Sequence, residues 1–135
     1  MKPLESTRKT VISLVTGFLT DNYPSLPVSY PRKTSVSVED AEEFIKVELA
    51  FTSRPLTLPG NSAYEVSGEL LLTHYRRENG GDSAFTNFTD TFFNLFSMQT
   101  KNGITFYTVN PYEQSGLPGF DGVTNYVTFS IDKFS

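Results

Sequence analysis

The chain has 135 residues, 38% of them hydrophobic, with 12 Phe, 7 Tyr and no Trp, which suits one domain with a single ring-rich core and leaves no room for a second. It has no cysteine, so disulfides, thiolate-held zinc and a thiol nucleophile are excluded, in keeping with a reducing, cytosol-type compartment. Its formal net charge is −4, a poor match for wrapping nucleic acid, which needs a concentrated basic face.

Lys2, Arg8 and Lys9 precede the run Thr10 to Thr20, an order shared with secretion signals. Thr10, Ser13 and Thr16 interrupt the apolar stretch, however, and Asp21-Asn22-Tyr23-Pro24 offers no small-residue cleavage site. The run is also too short to span a bilayer. Leu4, Val11, Ile12, Leu14, Val15, Phe18 and Leu19 recur at helical spacing, which predicts an amphipathic helix over 5–20 capped by Ser6 or Thr7. Pro24 and Pro27 forbid its continuation, and Val28-Ser29-Tyr30-Pro31 reads as a short extended segment, held to an edge by Pro31.

An acidic turn over Glu39, Asp40, Glu42 and Glu43 follows. Ile45, Val47, Leu49 and Phe51 then alternate with Lys46, Glu48 and Ala50, the pattern of a strand with one buried face. Residues 53–62, with two prolines and a glycine, read as a loop. Tyr64, Val66, Gly68, Leu70 and Leu72 alternate in a second long strand ending near Tyr75, and the two strands pair most simply as an antiparallel hairpin.

Gly80-Gly81-Asp82-Ser83 is a turn running into a helix cap, and Phe85, Phe88, Phe92, Leu95 and Phe96 set a helix over 83–98 with one aromatic face. Asn102-Gly103 marks a turn, Ile104 to Val109 a strand, Pro111 to Gly122 a second long loop, and Val123 to Ile131 a final strand. The expected architecture is α+β: a mostly antiparallel sheet of about four to five strands, covered on one face by two helices, in the order α-β-β-β-α-β-β.

No residue pattern carries catalysis. His74 is the only histidine; beside Tyr75, Arg76 and Arg77 it lacks a local base partner or nucleophile, and a solvent-facing position at a strand end is expected. The acidic turn lacks the alternating ligands and glycine of a calcium loop, so no metal is expected there. Gly80-Gly81 lacks the further glycines and lysine of a phosphate loop. The sequon Asn87-Phe88-Thr89 falls within the second helix of a chain without a secretion signal and is set aside. Arg32-Lys33 beside Tyr30, and Arg76-Arg77 beside Tyr75, are read as surface charge or as salt-bridge positions toward a partner. No cofactor is expected.

Pro24-Ser-Leu-Pro-Val28-Ser-Tyr30-Pro31 after a first helix, a hairpin whose second strand runs Gly68-Glu-Leu-Leu-Leu-Thr-His-Tyr75, the Gly80-Gly81 turn into a helix, and a closing strand from Val123 to Ile131 together resemble the tail terminator family of long-tailed bacteriophages, with Arg32 standing where related sequences often carry Asn. The resemblance covers nearly the whole chain. It implies a virion structural subunit, made in the host cytoplasm, that forms a ring, commonly of six copies, at the head-proximal end of the tail tube. Such a ring stops tube polymerisation, meets the tail tube protein on one side and the head connector on the other, and lets DNA pass through its lumen without specific binding.

A ring needs a heterologous interface, and the two long loops are the candidates for it. Leu56, Leu58, Tyr112, Leu117 and Phe120 are the expected apolar contacts to a neighbouring subunit or the tube. Arg32, Arg54, Arg76 and Arg77 are the expected polar contacts to partners. Three other readings stand beside this one: a different head-tail connector or tail component; a small ligand-binding α+β domain with its pocket between the aromatic helix face and the sheet; and, most remote, a hydrolase built around His74 with a Ser/Asp pair.

Overall fold

A computed structural model describes residues 3–30, 42–56, 63–77, 83–114 and 118–134. The element order is α1 (Pro3–Asn22), β1 (Val28–Ser29), β2 (Glu43–Leu56), β3 (Ala63–Arg77), α2 (Ser83–Phe96), β4 (Thr100–Lys101), β5 (Ile104–Phe106), β6 (Asn110–Gln114) and β7 (Phe120–Phe134). The α+β class holds, but the sheet is larger than expected and mixed. Its strands run β1-β2-β3-β7-β5-β4, with β6 also on β7; β1 is parallel to β2 and every other pairing is antiparallel.

Three long strands carry the fold. β2 pairs with β3 from Glu43–Arg76 to Leu56–Ala63, and β3 with β7 from Ala63–Phe134 to Arg77–Phe120. Strand alternation places Ile45, Val47, Leu70, Leu72, Val127 and Phe129 on one face, and all six are buried. Both helices pack on that face, as expected. From α1 come Val11, Val15, Phe18 and Leu19, and from α2 Phe88, Phe92 and Phe96, all in one continuous core with the sheet residues. The Phe18 ring lies at its centre, 5.9 Å from Phe88, 5.5 Å from Phe92 and 5.6 Å from Phe96. Each ring so buried contributes about 2–3 kcal/mol. α1 ends where Asn22 Nδ2 donates to Phe18 O at 2.9 Å, ahead of Pro24.

The expected loop over 53–62 is shorter: β2 runs through Pro55 to Leu56 and β3 resumes at Ala63. Ile45 N–H donates to Pro27 O at 3.0 Å, on the β1 side. Backbone groups alternate along a strand, so the odd residues of β2 point away from β3. Pro55 therefore lacks its N–H on the outer edge, where the β2–β3 ladder loses nothing. The expected loop over 111–122 also contains strand, in β6 and the start of β7. β5 and β6 line the same edge of β7 in succession, with a one-residue slip between Phe106–Phe129 and Asn110–Tyr126 that marks a bulge.

Turn chemistry follows the sequence more closely. Asn102 (φ 51°) and Gly103 (φ 80°) form the two-residue turn between β4 and β5. α2 stops at Phe96, two residues earlier than expected, and Met98 takes a left-handed φ of 57° just beyond it. Gly68 is required by close approach: a Cβ there would lie 2.3 Å from Ala50 O and 2.8 Å from the Phe129 ring. Because one obstacle is backbone of the paired strand, Gly68→Ala should lower stability by about 2 kcal/mol. Denaturant unfolding checks this, and an unchanged midpoint would contradict it.

Candidate functional site

β3 and β2 bring three charged or titratable side chains together at one end of the helix-covered face. The register sets Glu43 opposite Arg76 and Ile45 opposite His74, so Glu43 is the diagonal neighbour of His74. His74 Nε2 is hydrogen-bonded to Glu43 Oε2, and Arg76 Nε lies 3.6 Å from the same oxygen. α2 closes the site with the Phe85 and Phe88 rings, each 5.0 Å from the imidazole.

His74 is thus 1% exposed, which corrects the expectation of a solvent-facing strand end. It lies on the buried parity of β3, two residues after Leu72, and the start of α2 folds over it. Glu43, read from sequence as part of a solvated turn, is its partner. The signal was the two-residue phase from Glu43 to Ile45, legible only once the pairing register is known. Burial lowers the His74 pKa below its ordinary value, and Glu43 offsets only part of that shift. The neutral ring fits these surroundings: Nε2–H donates to Glu43, and Nδ1 has no hydrogen-bond partner among the described residues. Nearby, Thr89 Oγ1 donates to Asn125 Oδ1 at 2.9 Å, tying α2 to β7. His74 is the buried member of this cluster, while Glu43 and Arg76 are each partly exposed, and the cluster pins α2 to the sheet.

On the opposite face, Phe44, Tyr75 and Phe120 form a second small core. Phe120, expected at an interface, is 6% exposed in it, with the Arg77 guanidinium 4.3 Å above its ring. Phe120 and Arg77 are opposite one another in the β3–β7 ladder, and this pairing accounts for the correction. Arg76 is held beside Glu43. Tyr112 is exposed on β6, its ring tilted 59° to that of Tyr126 at 5.7 Å. Arg54 and Leu56 fall on the last turns of β2 rather than in a loop. Arg32, Leu58 and Leu117 lie outside the described residues, as do Glu39, Asp40 and the Gly80-Gly81 turn.

Among the described residues the exposed large apolar side chains are Phe93, Leu95, Met98, Tyr107 and Tyr112. Met98, 70% exposed, adjoins Tyr107 through its N–H, which donates to Tyr107 O at 3.0 Å. A groove of about 430 Å³ opens beside Gly68, lined by Ala50, Phe51, Ser67, Glu69, Tyr107, Thr128, Phe129 and Ser130. The space between the aromatic helix face and the sheet, the expected ligand pocket, is filled by Phe88, Phe92, Phe96, Phe106 and Phe129. Among the described residues no group of three or more acidic or histidine side chains is placed to hold a metal, and no helix is long and apolar enough to cross a membrane.

No family model matches the chain, and no curated protein matches it. One solved structure, known only by a sequence identifier, superposes with a TM-score of 0.70 over 95% of this chain and 94% of its own, at 11% sequence identity. That breadth shows a shared fold along nearly the full length.

The buried histidine sets a pH dependence. Below about pH 6.5 the unfolded chain takes up a proton on His74 that the folded chain resists, so this contribution to stability is present above that pH and lost as pH falls. Thermal unfolding between pH 7.5 and 5.5 should show a falling midpoint. His74→Gln, which keeps a donor toward Glu43 without titrating, should flatten the slope; an equal slope in both proteins would contradict the assignment.

Proposed function

We propose that this chain is a structural subunit of a phage tail, a tail terminator that acts by forming a ring at the head-proximal end of the tail tube. The observation that carries the reading is the set of exposed apolar residues in two different places. Phe93, Leu95 and Met98 lie on and just past α2, while Tyr112 lies on β6. Aromatic and Met side chains are enriched where proteins meet. Two unlike patches also suit a subunit whose contacts are heterologous, with separate surfaces for its neighbours, the tube and the connector. The sequence resemblance supplies the biological setting. The sealed state of His74 favours a non-catalytic role, since a general base must reach its substrate.

In this reading Tyr112 remains a candidate contact, Arg54 and Leu56 are candidates at the far end of β2, and Phe120 is reassigned to the interior of the subunit. The partners are further copies of the chain, the tube protein and the head connector, with DNA passing through the lumen. A mildly acidic chain does not grip phosphates, which suits such a channel. The groove beside Gly68 supports the second reading, a small ligand-binding domain, because its size falls within the range of small-molecule sites.

Light scattering with negative-stain imaging of the purified protein tests the ring. Six copies of a 15.1 kDa chain give roughly 90 kDa per closed ring, and ring-shaped particles built from that unit are expected. Monomers at every concentration, or open filaments, would contradict it. Tyr112→Ala and Met98→Ser should weaken assembly or docking to the tube at least tenfold while leaving the melting midpoint within a few degrees, since neither residue is in the core.

A further inference from the structure

A groove of about 300 Å³ runs between α1 and α2, over the buried Phe18 and Phe96. Leu14, Gly17 and Asp21 wall it on α1, and Leu95 and Lys101 wall it on the other side. Thr16 lies two residues along the helix from both Leu14 and Phe18, so it is on the opposite flank of α1, where its Oγ1 donates to Tyr30 Oη at 3.1 Å. The chain that continues through β1 to Tyr30 is therefore on the side of α1 away from the groove.

Gly17 has no explanation within the subunit. It sits inside a twenty-residue helix, where only proline is less favourable. A Cβ there would meet nothing within 4 Å, so internal packing does not call for glycine. The room it leaves suits close approach by something from outside. Asp21, one turn further along the same row, and Lys101 across the groove carry opposite charges. Among the described residues neither has an ion-pair partner. Lys101 Nζ lies instead 5.6 Å from the centre of the Phe96 ring.

We propose that this groove joins two copies of the chain about a twofold axis that lies in the plane of contact and bisects the line from Asp21 to Lys101 at right angles. That axis sets Asp21 of each copy against Lys101 of the other, so the ion pair forms twice. Half-buried Leu14 and Leu95, which is 39% exposed, are covered in the same contact, and the room at Gly17 lets the two surfaces close. The charges select a second copy over an unrelated surface. A groove with one acid and one base on its two walls is its own electrostatic complement, whereas a surface of uniform charge would match one wall and repel the other. The contact goes beyond the ring reading: a twofold added to a ring gives a double ring, and without a ring it gives a dimer.

The test uses the full chain and measures mass in solution by light scattering across a concentration series. Gly17→Gln adds a side chain that meets nothing in its own subunit and suits a helix better than glycine. Its thermal midpoint should hold or rise while the assembled mass halves, from double ring to ring or from dimer to monomer. Asp21→Lys and Lys101→Asp should each halve the mass alone. Mixed one to one they should restore it, because every pair across the axis is then again opposite in sign. An unchanged mass for Gly17→Gln or for either charge variant would overturn the contact and leave the ring reading untouched, as would a wild-type chain that forms single rings only. A wild-type chain that stays at 15.1 kDa throughout would overturn both. Charge variants that separate but are not rejoined by mixing would refute the pairing of Asp21 with Lys101.

Discussion

The seam of phenylalanine rings between the helices and the sheet is the interaction on which the rest of the structure depends. Phe18 on α1 touches Phe88, Phe92 and Phe96 on α2, and Phe96 meets Phe106, which meets Phe129 on β7. One chain of rings thus connects both helices to β5 and β7 on the helix-covered face. A chain without disulfides needs such a seam, because burial is its main source of cohesion. The sheet in turn accommodates the rings by bringing strands close at Gly68, where no side chain could fit. Polar pairs then fix orientation: His74 with Glu43 at one end, Thr89 with Asn125 beside it, and Thr73 with Thr124 at 2.8 Å on the opposite face.

Concentrating the cohesion on one face leaves other surfaces for partners. The exit of α2 at Met98 and the Tyr112 side of β6 are both peripheral to the ring seam. Changes there can alter assembly without unfolding the subunit. This separation of a rigid interior from open surfaces suits the proposed structural role, and it gives the buried His74 a place in holding α2 to the sheet.

Periodicity made much of this legible. The apolar residues of α1 and the Phe residues of α2 fall at helical steps, and Ile45 to Phe51 and Val66 to Leu72 alternate cleanly, so both helices and the central hairpin could be read directly. Asn102-Gly103 identified its turn by the left-handed backbone it demands. Prolines misled: Pro55 and Pro111 suggested loops, but each lies on a strand with an outer edge, where a missing N–H is tolerated. The parallel β1 and the Glu43–His74 pair depend on register between segments distant in sequence, which no local pattern encodes. Phe120 looked like an interface residue because it sits in a glycine- and proline-rich stretch, and only its place opposite Arg77 shows that it is interior.

Residue-resolved amide hydrogen exchange, compared between dilute and concentrated protein, tests most directly whether this chain works by assembling through its open surfaces. The account predicts that amides around Met98 and along β6 at Tyr112 gain protection on concentration while those of Leu70 and Leu72, in the core strand β3, stay protected throughout. Exchange that is equally fast around Met98 and Tyr112 in both samples, with no new protection anywhere on the surface, would contradict it.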